Sequence, residues 1–169
     1  MNRWRISKYN PKFRKHGAYQ KDDWTSVSEI GKSFQGSIFT LQQYLDTEDR
    51  YVSVVLSFLR ESGLSSLTVK NLEKDLPRPP QVVNLELADL LQEMSDLQEG
   101  ELSPVEIEKT CRVNLRELIW CKLEKEQLFY VHFGRDYYMY IGSALSCPRS
   151  VSDVSSVGLF IEEFPSPYE

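Results

Sequence analysis

The sequence predicts an α+β fold, with helices packed on one face of a mostly antiparallel sheet formed largely by the C-terminal half. Three observations carry this. Apolar residues recur at helical spacing from about Leu41 to Ser62 and again after Ser103. The period then changes to two in "LIWCKLE", "LFYVHF" and "YYMYIG", which have the aromatic and β-branched composition of strands. The connections "EKEQ" and "GRD" are short enough for a meander of antiparallel strands. A chain of 169 residues is read as a single domain, long enough to bury a core.

Residues 1–24 read as an irregular or short extended arm, interrupted by "YNP" and "HGAY". The arm is basic. Arg3, Arg5, Lys8, Lys12, Arg14, Lys15 and Lys21 all precede the first acid, Asp22. All 25 acids therefore face the remaining 13 bases, and the net charge is -5. Opposite charges in one chain attract, so the arm is expected to lie across its own acidic body. A nucleic-acid arm would use Trp4, Tyr9, Phe13 and Tyr19 as stacking groups, but the acidic body would repel phosphates. "DDWTSVSEIG" offers Thr25 or Ser26 as the cap of a short turn, with Glu29 to bond back and Gly31 to end it; "GSIF" suits a brief strand.

Thr40 can cap the first long helix, whose apolar face includes Tyr44, Tyr51, Val55 and Phe58, and Gly63 suits its stop. "LTVKNLEK" reads as a short strand or connecting turn. "LPRPP", 76–80, breaks regular structure and joins elements rather than domains. A second helix, about 83–98, carries Leu87, Leu90, Leu91, Met94 and Leu97 on one side. Glu86, Asp89, Glu93 and Asp96 form an acidic stripe on an adjacent face, with no base between Arg78 and Lys109. The third helix opens with Ser103 as cap, Pro104 in the first turn and Glu106 bonding back. Ile107, Cys111, Leu115 and Leu118 face the core, and Glu108 and Arg112 form an outer pair. "CPRSVSDVSSVG" predicts a short helix and "LFIEEF" a last strand.

Alternation along 128–141 sorts an aromatic-rich stretch into two faces. Phe129, Val131, Phe133, Tyr137, Met139 and Ile141 point to the core, while Tyr130, His132, Tyr138 and Tyr140 form a half-exposed face of flat rings with polar tips.

Catalytic and metal signatures are absent from the sequence. "GKS", 31–33, lacks the phosphate-loop glycine five positions earlier, where Ser26 stands. His16 and His132 are far apart, and the cysteines have no zinc spacing. Cys111, Cys121 and Cys147 cannot all pair in one chain, which suits a reducing cytoplasm. No apolar run approaches the roughly 20 residues of a membrane span, and "MNRWRISKYN" lacks a signal peptide's apolar region. Cys121 and His132 fall on strands that can be neighbours, so a small Cys–His hydrolase is the enzymatic alternative, with Asp136 able to orient the histidine. A buried, inert cysteine is the commoner state. No catalytic residue, cofactor or metal is therefore expected.

"WRISKYNP", "DDWTSVSEIGKSF", "LIWCKLE", "HFGRDYYMYIG" and "GLFIEEFPSPY" together resemble a family of small, acidic, cytoplasmic bacterial proteins. In size, acidity and lack of catalytic groups, that family is similar to the immunity proteins of bacterial toxin systems. The resemblance implies a non-catalytic protein-binding module whose partner is a cognate toxin or another basic protein; a regulatory or adaptor protein would share these features. The expected docking surface is the stripe Glu86, Asp89, Glu93 and Asp96, with Tyr130, His132, Tyr138 and Tyr140 as the second choice.

Overall fold

A computed structural model describes residues 1–74 and 95–169. The "LPRPP" connection, most of the second helix, and Glu86, Asp89 and Glu93 lie outside the described residues. The architecture is α+β, with three described helices and a seven-stranded antiparallel sheet. The strands are β1 (Asn2–Ser7), β6 (Leu67–Glu73), β7 (Glu101–Leu102), β8 (Trp120–Lys125), β9 (Phe129–Phe133), β10 (Tyr138–Ser143) and β11 (Phe160–Glu163), in the order β11-β1-β10-β9-β8-β6-β7. Two small hairpins, β2–β3 (Arg14–Lys15 and Ala18–Tyr19) and β4–β5 (Ser33–Phe34 and Ser37–Ile38), stand apart from the sheet.

Helix α1 spans Leu41–Glu61. Gln43 N–H donates to Thr40 Oγ1 at 3.3 Å and Thr40 N–H to Gln43 Oε1 at 2.8 Å, closing a capping box. Gly63 follows with φ of 68°, the left-handed stop that a side chain would disfavour. Helix α2, Pro104–Leu115, begins with the Ser103–Glu106 capping pair read from "SPVE": the Ser103 N–H and hydroxyl both donate to the Glu106 carboxylate, at 2.8 and 2.6 Å. Helix α3 is Pro148–Ser156.

The helices bury one face of the sheet. Val131, Met139, Ile141, Phe58 and Leu115 are all buried in one core. The Trp4 and Phe58 rings meet at 5.1 Å, which pins α1 to the strand at the chain's start. Residues 1–24, read as an irregular or short extended arm, open with that strand, which is part of the main sheet. Trp4 and Ile6 alternate inward on β1, which pairs Trp4 with Ile141 and with Glu163. The high density of cations masked a period of two. Four of the seven pair with the chain's own acids: Arg3 with Glu169, Arg5 and Arg14 both with Glu162, and Lys8 with Asp23.

One charged cluster is buried between helices. Glu48 of α1, fully buried, accepts from Arg116 Nε and Nη2 at 2.7 Å each, from Arg112 Nη1 at 3.0 Å and from Tyr44 Oη at 2.9 Å. The outer Glu108–Arg112 pair is present at 3.0 Å.

Candidate functional site

The sheet face turned away from the helices carries the aromatic set predicted to be half-exposed. It is covered instead. Tyr130, His132 and Tyr140 are buried, and only Tyr138 keeps intermediate exposure. The cover is the chain's own end, residues 164–169, which alternation within the strands could not reveal. His132 Nδ1 lies 2.8 Å from Ser166 Oγ, and Nε2 lies 3.0 Å from Glu124 Oε1. Tyr130 Oη donates to Glu169, and its ring stacks on His132 at 4.3 Å. Lys122 Nζ donates to the Tyr168 carbonyl. Gly142 is required beneath this layer, because a Cβ there would overlap the Tyr130 ring.

Ser166, His132 and Glu124 form a hydrogen-bonded series, yet Ser166 is buried and its hydroxyl also receives the Tyr168 N–H at 3.2 Å. This arrangement ties the C-terminal segment to the sheet. Burial holds the His132 imidazole below its ordinary pKa, opposed by the hydrogen bond and charge of Glu124.

The Cys121–His132 pairing does not form. His132 is opposite Lys122 in the β8–β9 register, so Cys121, one residue away, projects to the other face of the sheet. Its thiol receives Asn114 Nδ2–H at 3.1 Å, and burial pushes its pKa up to about 11. Asp136 sits in the turn after β9 and makes no hydrogen bond to His132.

Of the predicted acidic stripe, Asp96 is described and exposed. It lines a groove with Glu99, Glu101, Glu106 and Lys109. Three acids of that groove serve local structure: Glu99 accepts the Leu72 N–H at 3.2 Å, Glu101 pairs with Lys125 at 2.7 Å, and Glu106 completes the α2 cap.

A different cleft, of about 580 Å³, opens where β8, β9 and β10 meet the turn before β10. Its aromatic lining includes Trp120, Phe133, Tyr137, Tyr138 and Tyr168, and its charged lining Glu73, Glu117, Arg135 and Asp136. Trp120 Nε1–H donates to the Phe133 carbonyl at 2.9 Å, which fixes the indole. The Trp120 and Tyr168 rings lie 5.5 Å apart at 58°. Glu117 accepts from Ser26 Oγ at 3.0 Å; burial nevertheless raises its pKa, and the negative charges of Glu29 and Asp136 push the same way. Glu73 and Asp136 make no ion pair among the described residues.

Three non-glycine residues of this cleft hold left-handed backbone: Glu117 with φ of 58°, Asp136 with 57° and Tyr137 with 59°. Such conformations cost of order 1 kcal/mol each and persist where surrounding packing enforces them. Tyr137 is enforced by its hydroxyl bond to the Leu115 carbonyl at 2.5 Å. Sequence reasoning missed Glu73, Glu117 and Trp120 because they come from two segments, the end of β6 and the stretch leading from α2 into β8, both far in sequence from the turn at Asp136. "GRD" marked a turn, but nothing local placed those residues beside it.

Among the described residues, no group of three or more His, Cys, Asp or Glu side chains is placed to hold a metal ion, and no helix is long and apolar enough to cross a membrane. Compared with known proteins, the chain matches no protein family, no curated protein and no solved structure.

Proposed function

We propose that this chain is a non-catalytic protein-binding module for a basic partner, and specifically a cytoplasmic bacterial immunity protein that neutralises a cognate toxin, a basic nuclease-type toxin fitting best. The observation that carries the reading is the cleft of aromatic walls with Glu73, Glu117 and Asp136 set against Arg135, the single base of its lining among the described residues. Aromatic surface provides contact energy on desolvation, and unneutralised carboxylates provide steering and specificity toward a cation-rich surface. The internal pairing of Arg3, Arg5, Lys8 and Arg14 supports the same direction of charge complementarity, because those cations are already committed to the fold.

The test is co-expression with the protein encoded beside this chain's gene. The expected result is relief of growth arrest caused by that neighbour, together with a stable complex on size-exclusion chromatography. Glu73→Lys combined with Asp136→Lys should weaken the complex more at low salt than at high salt, as screening of a charged interface requires. A toxic neighbour that is neither bound nor neutralised would overturn the reading.

A further inference from the structure

We propose that the cleft between Trp120, Tyr168 and the turn at Asp136 is a receptor for one arginine side chain, with the indole ring taking the flat face of the guanidinium, the tilted phenol flanking its edge, and Glu73 and Asp136 taking its N–H groups. This deepens the protein-binding reading and rests on it for the source of the arginine.

The size fits first. A cleft of about 580 Å³ has ample room for one long side chain and a little flanking backbone. The chemistry of the walls fits next. Trp120 has already given its only polar hydrogen to the Phe133 carbonyl, so what remains to offer is its π face. Tyr168, tilted against it at 58°, closes one side of that face rather than continuing its plane. At the rim, Glu73 and Asp136 carry unpaired carboxylates among the described residues, while Glu117 lies deeper, held by Ser26. Among the described residues, three carboxylates against one guanidinium leave an excess of negative charge in a partly desolvated space. A cation relieves this excess, whereas an anion or a neutral group does not.

Arginine is favoured over lysine by geometry. A guanidinium is planar, stacks on aromatic rings, and spreads five donors toward more than one carboxylate. An ammonium is a compact point charge that leaves most of an aromatic face unused. The fold uses the same combination internally. Arg5 lies 4.1 Å over the Phe164 ring while pairing with Glu162 at 3.1 Å, and Arg14 shares that glutamate beside the Tyr138 ring. Arg135 is the opposing feature: an exposed cation on the lining that weakens the field the ligand meets.

The probe is N-acetyl-arginine N-methylamide, titrated into the full chain by nuclear magnetic resonance at constant ionic strength. The citrulline and lysine analogues serve as controls. Saturable shifts are expected at the Trp120 indole N–H and at the Asp136 amide, with the arginine probe binding more tightly than either control. Glu73→Gln with Asp136→Asn should weaken binding by about tenfold or more, the scale of losing charge-assisted hydrogen bonds. Arg135→Ala should strengthen it. These substitutions are on exposed side chains, and an unchanged circular dichroism spectrum will show that the fold survives. Equal binding of the citrulline analogue, tighter binding of the lysine analogue, or no saturable shift would each overturn the proposal. Failure of the neighbouring protein to bind, with the arginine probe still seated, would sink the toxin reading and leave the receptor standing. A complex with the neighbour alongside a cleft that ignores the probe would do the reverse.

Discussion

Glu48→Ala should unfold this protein more readily than any surface change. The carboxylate is fully buried and receives four hydrogen bonds, two of them from Arg116. Arg112 would keep Asp49 at 2.7 Å and Glu108 at 3.0 Å. Arg116 has only 8% of its side chain exposed and would lose its carboxylate. Breaking a buried pair by removing one partner costs about 3–5 kcal/mol, because an uncompensated charge stays inside. For a domain of this size that is on the order of 6–20 °C in melting temperature. Urea unfolding followed by tryptophan fluorescence would read the loss directly, since Trp4 and Trp24 are buried. The double variant Glu48→Leu, Arg116→Met should recover much of it, as apolar groups of similar volume remove both desolvation costs. If Glu48→Ala stayed within about 1 kcal/mol of the parent chain, the cluster would be a surface-like pair and its role in joining α1 to α2 would be wrong.

His132 predicts a pH dependence. Its folded pKa is held below the ordinary value by burial, so the unfolded chain takes up a proton that the folded chain refuses. Stability should therefore fall as pH drops through about 6.5 toward the folded pKa. His132→Asn should flatten that part of the curve in urea titrations, and an unchanged slope would refute the assignment. The thiols give a simpler check. Cys111, Cys121 and Cys147 are all buried, and burial raises the pKa of Cys111 as well as Cys121. Ellman's reagent at pH 8 should find them unreactive until denaturant is added; a fast-reacting thiol in the native protein would contradict their placement.

Local chemistry was readable wherever partners lie within a few residues. Thr40 with Gln43 and Ser103 with Glu106 are caps that a linear pattern encodes, and the alternation of Val131, Met139 and Ile141 follows from the pleat. β1 had the same alternation, but its basic composition suggested an arm, because nothing nearby announced Glu162 and Glu169 as counter-ions.

The sequence by itself determined the class of the fold, the capped starts of α1 and α2, and the division of the late strands into two faces. Only the tertiary structure decided what lies on each face. It placed β1 between the last two strands, laid residues 164–169 over Tyr130 and His132, and turned Cys121 away from His132. It also gathered Glu73, Glu117, Trp120 and Asp136 around one cleft. The physical reason is range. Helix caps and strand periods arise from interactions between near neighbours along the chain, whereas covering a face or lining a cleft is set by which distant segments gain most by burying one another.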